Sequence, residues 1–113
     1  MIAPEKKIKV IEFFEHISKY YGSRTEITQG IYSLYEDFSA SKTTWNLSEF
    51  VLIRAAYRKD GDRLMMEGKK MYYEMSAGAL FDFKEPARNT FEFVEVYGDR
   101  VFRITKIKFH YNY

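Results

Sequence analysis

Cysteine is absent from the 113 residues, which excludes disulfides, thiolate-held zinc, iron–sulfur clusters and a thiol nucleophile together. A chain without disulfides fits a reducing compartment, and the expected location is the cytoplasm. Histidine occurs twice, at His16 and His110, with no ligand spacing around either; no metal site and no cofactor is expected. Two prolines and six glycines make no linker, no glycine-rich phosphate loop, no Gly-x-Ser-x-Gly elbow and no dinucleotide fingerprint, which disfavours phosphoryl transfer and serine hydrolysis. No run of about 18 apolar residues occurs, and the N-terminus lacks the apolar core of a signal peptide, so neither a membrane partner nor export is expected. Charge of one sign is lacking as well: 18 basic residues face 16 acidic ones, which argues against a dedicated nucleic-acid surface.

What is present, 46% hydrophobic, 19% aromatic and 30% charged residues, suits one soluble α+β domain over residues 1–113. Pro4 suits a first helical turn, and Gly22 suits the residue that closes a helix. Between them Ile8, Ile11, Phe14, Ile17 and Tyr21 recur at helical spacing, with Lys6, Lys9, Glu12, Glu15 and Lys19 opposite, which predicts a helix over about 5–21. Ser23 followed by Glu26 reads as a capping box, and Ile27, Ile31, Leu34, Tyr35 and Phe38 supply the stripe of a second helix.

Residues 48–76 read best as a hairpin about Asp60-Gly61, pairing Tyr57 with Leu64, Ala55 with Met66 and Arg54 with Glu67. The alternative is two further helices. Gly78 marks a bend in a long strand. A two-residue loop at Gly98-Asp99 pairs Glu95 with Phe102 and Phe93 with Ile104, placing Phe91, Phe93, Phe102 and Ile104 on one core face. Apolar residues then move from even to odd numbers after Ile104, which calls for a bulge near Thr105-Lys106. The expected fold is two N-terminal amphipathic helices packed on a curved antiparallel sheet of four or more strands, with the cone shape of cystatin-like or NTF2-like domains.

The outstanding quantity is ten tyrosines beside ten phenylalanines. Each buried hydroxyl needs a partner, so some are expected at the surface. Tyr20, Tyr21, Tyr72, Tyr73, Tyr111 and Tyr113 are candidates for a recognition surface. The leading expectation is a non-catalytic interaction module that self-associates or binds a protein partner, of homodimer, inhibitor or adaptor type. The alternative is a small-molecule binder or acid–base enzyme with a pocket between sheet and helices; its candidate groups are Glu74, Asp82 and His110, though Glu74 and Asp82 read more readily as outward strand positions and His110 as a partly exposed edge histidine. A further alternative is nucleic-acid binding through the basic middle, where Arg54, Arg58, Lys59, Arg63, Lys69 and Lys70 cluster in sequence, with the plainer reading of a solvated face. Asn46-Leu47-Ser48 matches a glycosylation acceptor, expected to be chance in a chain with no signal peptide.

Overall fold

Period-two alternation runs through most of the chain, and the computed structural model has, among the described residues, eight antiparallel strands and one α-helix. The structure describes residues 2–33, 43–98 and 100–111. Helix α1 (Pro4–Glu15) and a 3-10 turn (Ile17–Tyr20) precede β1 (Arg24–Ser33), β2 (Thr44–Val51), β3 (Arg54–Arg58), β4 (Arg63–Gly68) and β5 (Met71–Ser76). A second 3-10 turn (Ala77–Ala79) leads to β6 (Leu80–Ala87), β7 (Thr90–Tyr97) and β8 (Val101–His110).

The expected α+β arrangement of two helices on one sheet is therefore overturned: the fold is mostly β, with two antiparallel sheets and a single α-helix among the described residues. Thr25, Ile27, Thr28 and Ile31 explain the error. They are β-branched and favour a strand, and β1 is hydrogen-bonded on both sides, to β2 and to β8. Leu34, Tyr35 and Phe38 lie outside the described residues. The first helix stops at Glu15, short of the expected end, and the chain continues to Tyr20 as a 3-10 turn. The hairpin over 54–68 has the expected register, with Arg54 opposite Glu67 and Tyr57 opposite Leu64. The bend near Gly78 is present as the 3-10 turn.

The larger sheet has the order β2-β1-β8-β7-β6 and the smaller β3-β4-β5. Two chain segments pass from one sheet into the other and form corners. At the first, Leu52 exchanges backbone hydrogen bonds with Gly22 and Ser23 (2.8 and 3.1 Å), while the Ile53 N–H donates to the Glu67 carbonyl on β4 (2.8 Å). The turn Ala77–Ala79 makes the second, where the Ala77 N–H donates to the Asp62 carbonyl (2.9 Å). Away from the corners the sheets part on two sides. On one side α1 packs against β3 and β6; on the other, β2 and β5 flank an open cavity.

Val10, Phe14, Ile17 and Tyr20 project from the helical segment into the core, beside Leu64, Leu80, Phe91, Phe93, Ile107 and Phe109. Lys6 donates to Asp82 (2.5 Å) and Lys7 to Asp62 (3.0 Å), which also accepts from Tyr57 (2.5 Å). Such partly exposed pairs are worth up to about 1 kcal/mol each, against about 1.5–3 kcal/mol for each large apolar side chain buried. The apolar face therefore holds the helix, and the ion pairs fix where it lies.

Two close approaches set the sheet packing. The Trp45 indole lies over Gly30, where an added Cβ would meet its ring atoms at 2.8–2.9 Å, and Lys106 Nζ stands 5.5 Å from the same ring. Gly68 ends β4 against the first corner; a Cβ there would fall 2.8 Å from the Val51 carbonyl oxygen and 2.6 Å from the Phe50 ring. Backbone cannot yield as a flexible side chain does. Gly68→Ala is expected to destabilise the protein by about 1–3 kcal/mol, measured as a lower urea midpoint at unchanged m-value.

Candidate functional site

Strand β8 carries two opposite patterns along its length. Its inward positions are Arg103, Thr105, Ile107 and Phe109, and its outward positions are Phe102, Ile104, Lys106 and Lys108. Phe102 is buried on the outer face by stacking with Tyr32 (5.2 Å) and an edge contact with Phe81 (5.4 Å). No bulge intervenes: the pairing with β7 and with β1 runs without a shift. The change of phase near Thr105 marks the place where the interior turns from polar to apolar.

At the polar end Glu95, with 0% of its side chain exposed, meets Arg103, 20% exposed. Arg103 Nε donates to Glu95 Oε1 (2.7 Å), and the Ser76 N–H and the Tyr97 hydroxyl donate to Glu95 Oε2 (the former at 2.8 Å). The guanidinium also donates through Nη2 to the Glu74 carbonyl (2.7 Å) and lies 5.2 Å from the Tyr73 ring centroid. Tyr73 in turn shares a 2.6 Å hydrogen bond with Thr105. Arg103 then forms part of the lining of a cavity of about 320 Å³, with Ile27 and Gln29 of β1, Asn46 and Ser48 of β2, and Met71 to Glu74 of β5.

Electrostatics match this geometry. Burial on its own would lower the Arg103 pKa, but the Glu95 hydrogen bond and charge, with the neighbouring tyrosines, leave it above the ordinary value. Burial, then the hydrogen bond and charge of Glu95, pushes the Tyr97 hydroxyl up to about 12. Burial also raises Tyr73, against the opposing effects of Thr105 and Arg103. Both tyrosines are neutral hydrogen-bonding groups at physiological pH.

The residues singled out in the sequence are dispersed. Tyr20, 1% exposed, projects into the core from the end of the 3-10 turn and donates to Asn89 (2.7 Å). Tyr21 donates to the Ala55 carbonyl (3.0 Å) and accepts from the Ala55 N–H (2.9 Å). Tyr73 is inside, Tyr72 is 55% exposed at the cavity rim, and Tyr111 packs edge-on to Tyr20 (5.1 Å). Tyr113 lies outside the described residues. Of the five described, only Tyr72 and Tyr73 come together at the cavity.

Glu74 lies at the cavity, where hydrogen bonds from Tyr72 and then Arg63 hold its carboxyl below the usual carboxylate range. Asp82 stands on the opposite side of the molecule's core, beside α1; burial works to raise it, but the Lys6 hydrogen bond, the Phe83 N–H and the charges of Lys6 and Lys84 outweigh burial and lower it. His110 lies on the outer face, its Nδ1 accepting from Arg24 Nη2 (3.1 Å) and its Nε2 standing 3.2 Å from Glu26 Oε1 without hydrogen-bonding geometry. In the basic middle, Arg54 pairs with Glu67 (2.8 Å) and Arg63 with Glu74. Lys59 and Lys69–Lys70 occupy the turns at opposite ends of β4.

Gln29, Asn46, Ser48, Glu95, Tyr97 and Arg103 are the site residues that sequence reasoning missed. The available signal was the phase change on β8, read as a bulge. Among the described residues no group of three or more His, Asp or Glu could hold a metal ion, and no helix is long and apolar enough to cross a membrane. Comparison with known proteins finds no matching family model, no similar curated protein and no similar solved structure.

Two expectations follow. Arg103→Met leaves Glu95 buried without its cation, at a cost of about 3–5 kcal/mol in chemical denaturation. For Tyr97 the folded pKa lies above the ordinary 10.0, so its contribution to stability is complete below pH 10 and is lost as pH rises from 10 towards 12. Ultraviolet titration of tyrosinate, wild type minus Tyr97→Phe, is expected to show a group ionising near the top of that window.

Proposed function

We propose that the protein is a non-catalytic small-molecule binder, its ligand a polar, uncharged, hydroxyl-rich molecule held between the parted edges of the two sheets. The supporting observation is the Glu95–Arg103 pair in and behind the wall of the cavity of about 320 Å³. Well-packed apolar residues would serve stability as well as a buried ion pair does, and groups desolvated in a cleft are candidate functional groups. The cavity is at the lower end of the range of about 300–1,000 Å³ found for ligand sites. Arg103 and Glu95 cancel in charge, while Gln29, Asn46 and Ser48 offer both donors and acceptors, a set suited to hydroxyl groups.

Binding is favoured over acid–base catalysis because the carboxylates are committed. Glu95 already takes three donors, and Glu74 and Asp82 are held ionised, whereas a general acid works best with its pKa near the operating pH. Amide NMR titration with glucose, galactose and inositol tests the reading. At least one is expected to shift Gln29, Asn46, Ser48 and Arg103 to saturation, and Asn46→Ala is expected to weaken it by about tenfold, or 1.4 kcal/mol. Absence of saturable shifts at those residues for all three, or an affinity that Asn46→Ala leaves unchanged, overturns it.

A different observation favours self-association as a second reading. Among the described residues β2 pairs only with β1, and its eight residues contain no lysine, proline or bulge, the usual devices that blunt an edge. Its counterpart β6 carries Lys84, Pro86 and two register shifts. Antiparallel pairing of β2 with a second copy would continue the sheet and cover Leu47, 70% exposed. Light scattering is expected to give twice the monomer mass, reverting to the monomer in Leu47→Lys; a monomeric wild type at all concentrations removes this reading.

A further inference from the structure

A second cavity, of about 440 Å³, lies on the other side of the molecule between the helical segment and the β6–β7 edge. Its apolar surface is aromatic. Phe13 of α1 stands 4.2 Å from Phe91 and 6.4 Å from Phe83, centroid to centroid, and Phe83 and Phe91 lie nearly parallel at 6.3 Å. Phe13 and Phe83 are only half-buried, so rings that would complete an ordinary core are left facing the groove.

Around this surface stand Lys9, Lys19, Arg88 and a single acid, Glu85. The helix treats its lysines unequally: Lys6 and Lys7 are tied to Asp82 and Asp62, but Lys9, one turn before Phe13 on the same face, has no ion pair among the described residues. Lys19 and Arg88 likewise form none among the described residues; Lys19 lays its ammonium 5.1 Å from the Tyr20 centroid. The wall behind them is braced. Tyr20 donates to Asn89, whose Nδ2 donates to the Tyr111 carbonyl (3.0 Å), and the Asn89 carbonyl accepts from the Phe109 N–H (2.9 Å). Asn89 holds a left-handed backbone, φ 59°, directly after Arg88.

Half-buried rings favour a flat apolar ligand through edge and offset contacts, and an excess of two positive charges over one ligand-sized groove favours an anion. We propose that this groove binds a small aromatic anion, its ring against Phe13, Phe83 and Phe91 and its carboxylate or sulfonate among Lys9, Lys19 and Arg88. The site is separate from the cavity between the sheets and stands whether or not that cavity binds a ligand.

Anilinonaphthalene sulfonate, naphthoate and the neutral naphthylmethanol are the probes, followed by fluorescence for the first and by aromatic proton NMR for all three. The expected result is one saturable site per chain for each anion, with shifts on the rings of Phe13, Phe83 and Phe91. Naphthylmethanol is expected to bind about tenfold or more weakly than naphthoate, and the surface variant Lys9→Gln/Lys19→Gln/Arg88→Gln to lose a similar factor for the anions but not for naphthylmethanol. Equal affinity for naphthoate and naphthylmethanol, or anion affinity unmoved by the triple variant, overturns the proposal. So does loss of anion binding in Asn46→Ala, which would place the probe between the sheets instead.

Discussion

A carboxylate with no exposed surface must be met by a cation and by donors, and the way Glu95 is met joins three strands at one point. Arg103 reaches it from the neighbouring β8, the Ser76 N–H from the end of β5, and Tyr97 from further along β7 itself. Because β5 belongs to the smaller sheet and β7 and β8 to the larger, the cluster is a polar tie between the two layers, next to the Tyr73–Thr105 hydrogen bond that also joins them. Its neighbour, the Arg103 bond to the Glu74 carbonyl, occupies a main-chain acceptor on β5. The parting of the sheets beyond this point is what leaves room for a cavity.

That tie was hidden in the sequence by one residue. A two-residue loop at 98–99 sets Glu95 against Phe102; the observed pairing joins Tyr97 with Val101 and so sets Glu95 against Arg103. A slip of one residue exchanges the two faces of a strand, which turned a buried ion pair into an apparent charge-on-aromatic mismatch and Phe102 into a core residue. The first hairpin escaped this error because its register is the one a two-residue Asp60-Gly61 loop sets, and its Arg54–Glu67 pair lies on the solvent side, where opposite charges advertise the register. The second helix failed for another reason: Ile27 and Ile31 are four apart on a helix and also fall on one face of a strand, and only the β-branched neighbours separate the two.

The tyrosines show a related limit. Their number placed some of them at the surface, and Tyr21, Tyr72 and Tyr97 are 40%, 55% and 42% exposed; yet Tyr57, Tyr72 and Tyr97 donate to carboxylates, Tyr20 to an amide, Tyr21 to a carbonyl, and Tyr73 pairs with Thr105, so the exposed hydroxyls too are engaged within the chain. The acids and amides that accept these protons are scattered along the chain, so composition counts the hydroxyls without counting their partners. Tertiary pairing supplies the missing term, and no local pattern announces it.

The single tryptophan has a practical consequence of its own. Trp45 sits on the outer side of β2, over Gly30 and beneath Lys106, and lines neither of the two proposed binding cavities. Its natural emission therefore watches the seam between β1 and β2 and is blind to events inside, so a spectrometer tuned to indole would record the fraying of that seam and register an occupied interior as silence.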